Sequence, residues 1–151
     1  MMKRSPLQRL IEQARRQRDD AAAQSASSRL EVVQAQQTLD ALSSYLHDHL
    51  GRVREHAHTD APLLRIRERF TRNLDVAICE QTRQRDGLGD VAEREHAELI
   101  ERQRRLLAFE AVQARRETIR RHRLHRADQR HTDEIAAQLL QRHRRNRTDE
   151  S

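Results

Sequence analysis

Between Leu7 and Val53 the sequence keeps one spacing. Leu7, Ile11, Ala14, Arg18, Ala21, Ser25, Ser28, Val32, Ala35, Leu39, Leu42, Leu46, His49 and Val53 follow one another at alternating steps of four and three residues. A mean step of about 3.5 residues, sustained along this whole stretch, is the repeat of a helix wound around a partner helix. Only Arg18 and His49 are poor residues for such a seam. The small residues from Ala21 to Ser28 let two backbones approach closely. Ser5 followed by Pro6 supplies an N-cap and a proline at the first helical position.

The rest of the chain offers a partner helix. His56-Ala57-His58-Thr59-Asp60-Ala61-Pro62, following Gly51, interrupts the pattern, and Thr59 or Asp60 can cap a new helix with Pro62 in its first turn. A second stripe then runs through Leu63, Ile66, Phe70, Leu74, Ala77, Gln81, Gln84, Leu88 and Val91. Beyond it the apolar positions drift through Leu99, Leu106, Phe109, Val112 and Ile119. The fold expected is all-α: a single elongated antiparallel two-helix coiled coil, a helical hairpin over residues 1–151. Its first helix covers about 6–55, its turn about 56–61 and its longer second helix about 62–145, ahead of a frayed C-terminal tail. Simple antiparallel register sets Val53 against about Ile66 and Leu7 against about Val112. A first helix of some 45 residues would be on the order of 70 Å long, so a rod is expected. Gly87 and Gly89 each cost about 1 kcal/mol relative to Ala inside a helix, which predicts a kink or break near Arg85 to Asp90.

Composition supports a thin seam rather than a globular core. Hydrophobic residues make up 35% of the 151 and aromatics 2%, against 36% charged, too little apolar volume for a thick interior. The same balance would suit a disordered chain, but the sustained periodicity and a content of only 3 Gly and 2 Pro argue for helix. No run of 18 apolar residues is present, and the start lacks the apolar stretch of a signal peptide, so a cytoplasmic protein is expected. The lone Cys79 reads as an inert thiol.

Catalytic motifs are wanting. Gly87-Leu88-Gly89 has neither a preceding strand nor a third glycine, so it reads as a helix irregularity rather than a nucleotide loop. The close pairs His47/His49, His56/His58 and His122/His125 lack the i, i+4 spacing or convergent carboxylate of a metal site and read as solvated. Asp19-Asp20 and Asp133-Glu134 have no pocket to tune them for acid–base work. No enzyme activity, cofactor, metal or small-molecule substrate is expected.

Charge is strongly uneven. The net charge is +6, yet residues 1–101 sum to −1, residues 102–147 to +9 and residues 148–151 to −2. The Arg-rich run through Arg115, Arg116, Arg120, Arg121, Arg123, Arg126 and Arg130, then Arg142, Arg144, Arg145 and Arg147, admits three readings: a solvated face, a tip for an acidic protein surface, or a nucleic-acid site. Nucleic acid is disfavoured, because no aromatic is interleaved for base stacking and no binding motif accompanies the charge. In simple register the second helix outruns the first near Arg115, so this segment is expected to fray or to await a partner. Near the turn, Leu42, Tyr45 and His49 on one helix approach Phe70, Leu74, Ala77 and Gln81 on the other. A two-helix hairpin cannot cover such a cluster on every side, which makes part of it a candidate docking patch.

Leu39-Asp40-Ala41-Leu42-Ser43-Ser44-Tyr45-Leu46, a break, and Phe70-Thr71-Arg72-Asn73-Leu74-Asp75-Val76-Ala77-Ile78-Cys79-Glu80-Gln81 resemble the FliJ family, small coiled-coil proteins of the flagellar type III export apparatus. The resemblance covers essentially the whole chain. It implies a soluble, non-enzymatic stalk, similar in architecture to the γ subunit of rotary ATPases, peripherally associated with the inner membrane. Its implied partners are the hexameric export ATPase, the cytoplasmic domain of the export-gate protein FlhA, and export chaperones. Carried over residue by residue, the gate-binding patch is Leu42, Tyr45, His49, Phe70, Leu74, Ala77 and Gln81. His49 stands where the family often has a second aromatic, and Gly87 and Gly89 lie in a helix that the family usually keeps continuous. The Arg-rich end at Arg115, Arg116, Arg120, Arg121, Arg123 and Arg126 would enter the ATPase pore. The YscO-like stalk of a virulence type III system and a basic coiled-coil scaffold or nucleic-acid-binding protein are the alternatives.

Overall fold

The computed structural model describes residues 3–55 and 60–150. It contains two α-helices, α1 over Pro6–Glu55 and α2 over Ala61–Asp149. Two compact units partition them: Glu12–Arg105, and Met1–Ile11 together with Leu106–Ser151.

Helix α1 starts with a reciprocal cap. The Gln8 backbone N–H donates to Ser5 Oγ at 3.2 Å and the Ser5 N–H donates to Gln8 Oε1 at 3.0 Å. Two orphan donors of the first turn are thereby satisfied, and Pro6 needs none. At α2 the Leu64 N–H donates to the Asp60 carbonyl at 3.1 Å, so Asp60 stands at the cap, with Pro62 in the first turn. The alternative cap Thr59, the His56/His58 pair and most of the expected turn lie outside the described residues.

In the Glu12–Arg105 unit, α1 and α2 form an antiparallel hairpin. Every α1 position of the expected stripe that falls in this unit, from Ala14 to Val53, is buried or half-buried. Ala14, Ser25, Ser28, Ala35 and Leu39 are the most deeply covered. Arg18 and His49 hold their places in it. The facing stripe on α2 differs from the expected one. It runs Arg67, Thr71, Leu74, Ile78, Gln81, Arg85, Leu88, Ala92, Glu95, Leu99 and Arg102, a strict alternation of four and three in which every residue is buried or half-buried. Leu74, Gln81 and Leu88 belong to both stripes. Leu63, Ile66, Phe70 and Gln84 are exposed instead, Ile66 at 65%.

The shift has a physical reason. Polar side chains at seam positions of α2 reach across to α1, their stems covering its apolar residues while their ends find partners. Arg102 donates to Gln17 Oε1 at 3.0 Å, Arg85 to Gln36 Oε1 at 3.1 Å and Gln81 to the Ala35 carbonyl at 3.3 Å. Ser28 and Gln24 both donate to Glu95, and Arg29 meets His96 Nδ1 at 2.9 Å. These pairs keep the antiparallel offset expected for Val53 and Ile66. Ser25, 1% exposed, keeps its hydroxyl buried without a hydrogen-bond partner.

The expected break at the two glycines does not occur. Helix α2 passes through Gly87 and Gly89 without interruption, and neither has a positive φ. Seam contacts at Arg85 and Leu88 on the same stretch offset the intrinsic cost. A Cβ built on either glycine meets nothing within 4 Å. Gly87→Ala and Gly89→Ala should therefore each raise stability by about 0.5–1 kcal/mol, seen as a higher urea midpoint.

In the second unit, Leu7 and Ile11 of α1 and Leu106, Phe109, Gln113 and Glu117 of α2 are buried or half-buried. Val112, expected opposite Leu7, is 44% exposed, the covered positions being Phe109 and Gln113 on either side of it. From Thr118 to Glu150 every residue is exposed. The fraying expected past Arg115 is not seen, since α2 continues to Asp149. Residues of good helix propensity and local pairs such as Glu117 with Arg120 hold the helix without a neighbour.

Candidate docking face and basic arm

The expected docking residues separate into an exposed aromatic face and the seam beneath it. Tyr45, 59% exposed, and Phe70, 39% exposed, meet edge to face with ring centroids 6.5 Å apart. His49 stands 4.7 Å from Phe70 in the same geometry, so the imidazole acts as the second ring partner, and its Nε2 lies 3.4 Å from the Arg67 carbonyl. Leu42 and Ala77 are half-buried. Leu74, at 9%, is seam, and Gln81 is occupied with Ala35. A partner can therefore reach Tyr45 and Phe70 directly, while Leu74 and Gln81 hold the helices that present them.

The surroundings add residues that the apolar stripe obscured. Ile66 lies one turn before Phe70, in a groove of about 550 Å³ lined also by Arg65, Glu68, Arg69, Arg72 and Asn73. A second groove, of about 400 Å³, is lined by Leu50, Val53, Leu64, Arg67, Glu68, Thr71 and Arg72. Exposed apolar residues thus cluster near the turn: Leu50, Leu63, Leu64 and Ile66, besides Tyr45 and Phe70. Reading Leu63 and Ile66 as seam hid them, whereas a strict four-three count through polar residues places them, with Phe70, outside it.

Arg115, Arg116, Arg120, Arg121, Arg123 and Arg126 are all exposed in the other unit, on one continuous helix. Arg120 donates to Glu117 at 2.9 Å, and Arg121 lies 3.5 Å from the same carboxylate. The Arg120 hydrogen bond first, then the charges of Arg120 and Arg121, hold the Glu117 carboxyl below its ordinary value. With the folded pKa depressed, this local support is present above the ordinary carboxylate range and is lost as pH falls through the lowered value. Because residues 118–150 are all exposed, truncation after Glu117 should leave the stability of the Glu12–Arg105 hairpin within about 0.5 kcal/mol of the full chain by urea titration.

Cys79 is a free, exposed thiol. Among the described residues no group of His, Cys, Asp and Glu is arranged to hold a metal, and no helix is long and apolar enough to cross a membrane.

No curated protein matches the sequence. A family model does: that of the flagellar FliJ protein, matched over residues 2–145. The match takes in both helices, the aromatic face and most of the basic arm. The chain therefore belongs to the flagellar FliJ family, a non-catalytic component of the flagellar export apparatus.

Proposed function

We propose that this protein is a cytoplasmic stalk, associated peripherally with the inner membrane, that couples the hexameric export ATPase to the cytoplasmic domain of the export-gate protein and assists recycling of export chaperones. The observation that carries the proposal is the segregation of chemistry. The exposed Tyr45–Phe70 pair belongs to one unit, and the helix bearing Arg115, Arg116, Arg120, Arg121, Arg123 and Arg126 belongs to the other. Aromatic and aliphatic side chains exposed together suit a stable protein–protein contact, and a dense run of Arg suits an acidic surface.

In this reading the gate meets the patch of Leu42, Tyr45, His49, Phe70, Leu74, Ala77 and Gln81. The ATPase pore receives the Arg-rich helix. Nucleotide chemistry stays with the ATPase, and the stalk transmits its state as a physical link. Co-purification tests this: the full chain should retain the export ATPase, and the chain truncated after Glu117 should lose it while keeping the helical signal of the hairpin. Equal retention of the ATPase by both would defeat the assignment of the arm.

A further inference from the structure

The exposed arm of α2 has an apolar stripe as well as its charge. Eighteen residues make five full turns at about 3.6 residues per turn, so Leu124 lies directly in line with the buried Leu106. Ile135, eleven residues on, continues that line together with the half-buried Gln113 and Glu117, while Leu139, eighteen residues after Arg121, stands about 60° to one side of it and Arg142 closes it. The face that meets α1 at Leu106 thus continues, still apolar at intervals, where α1 no longer covers it. Leu124, Ile135 and Leu139 are 57%, 46% and 59% exposed. Arg120 and Arg121 flank Leu124 on its two sides, and Arg116, Arg123 and Arg130 extend the first flank. Arg123, Arg126 and Arg130 have no ion-pair partner among the described residues.

We infer that residues 118–142 of α2 take up an acidic amphipathic α-helix of a partner protein, its apolar stripe on Leu124, Ile135 and Leu139 and its carboxylates against the flanking arginines. This deepens the reading of the arm as the ATPase-facing end and rests on it for the partner's identity alone. A second copy of the chain is the wrong occupant, because residues 115–147 carry 11 Arg against 4 acids and two such arms repel. A lipid surface would need a fuller apolar face and interfacial aromatics, and the arm has no aromatic residue. Nucleic acid would use the charge and leave the leucine–isoleucine stripe idle.

The test uses the full chain and a labelled synthetic helix of about four heptads, with Leu and Ile on its seam and Glu on its flanks. Binding should be saturable and weaken with salt, and a Lys-for-Glu version of the peptide should not bind. Leu124→Ala, Ile135→Ala and Leu139→Ala together preserve helix propensity and charge, and should weaken binding by about tenfold or more. Arg120→Gln, Arg123→Gln and Arg130→Gln together should weaken it and flatten its salt dependence. Unchanged binding by the triple-alanine variant would overturn the inference, as would displacement of the peptide by duplex DNA or by phosphatidylserine vesicles. Peptide binding without capture of the export ATPase would support the inference and defeat the ATPase reading. ATPase capture and peptide binding both indifferent to the three alanines would overturn the inference and leave the ATPase reading standing.

Discussion

Leu39→Asp unfolds the Glu12–Arg105 hairpin, with loss of most of the far-ultraviolet helical signal at ambient temperature. Leu39 is 7% exposed in the stretch of α1 that faces Ile78 and Gln81 across the interface. Removing a leucine of this burial costs about 2–5 kcal/mol, and an unpaired carboxylate in its place adds a desolvation penalty of several more. The sum is comparable with the whole stability of a small domain, about 5–15 kcal/mol. A two-helix unit has no second layer into which the damage can relax. Leu30→Asp is the control: Leu30 is 57% exposed on the same helix, and its replacement should move the urea midpoint little. Comparable loss from both substitutions would show that the interface does not follow the seam described.

Tyr45→Ala with Phe70→Ala should remove the proposed gate binding while leaving the hairpin folded. Both rings are substantially exposed, so their loss should cost the fold only about 1 kcal/mol. Aromatic anchors at the centre of an interface are commonly worth about 2 kcal/mol each, and losing two lowers affinity by roughly a hundredfold or more. Titration of the gate protein's cytoplasmic domain against both chains measures this, with urea unfolding run alongside. Leu74→Ala should behave differently, reducing stability and affinity together, because at 9% exposure the side chain supports the face from below. Gate binding unaffected by the double substitution would remove the patch from the interface.

The first helix was legible in the sequence because its seam is mostly aliphatic or small, so apolar spacing and true contacts coincide from Ala14 to Val53. The second helix was harder to read. Its seam includes Arg67, Arg85, Glu95 and Arg102, residues that apolar periodicity skips, and the search slides one position onto Ile66 and Phe70. The error matters for the site, since the same slip that misplaced the seam concealed the exposure of Leu63 and Ile66 beside Phe70. Gly87 and Gly89 illustrate a second limit: intrinsic propensity argued for a break, and seam contacts on both sides outweighed it. The basic arm was visible as charge from the start. Its apolar stripe was not, because Leu124 and Ile135 are eleven residues apart and only an unbroken helix brings them into line.

The central claim is that two separate surfaces of one chain engage two partners, and a bridging measurement tests it most directly. The gate protein's cytoplasmic domain is immobilised, and capture of the export ATPase is measured with the full chain, the chain truncated after Glu117 and the Tyr45→Ala, Phe70→Ala chain. Capture should require the full chain, with the truncated chain still binding the gate domain and the double variant still binding the ATPase. Loss of both partners from the same single variant, or ATPase capture by the truncated chain, would contradict it.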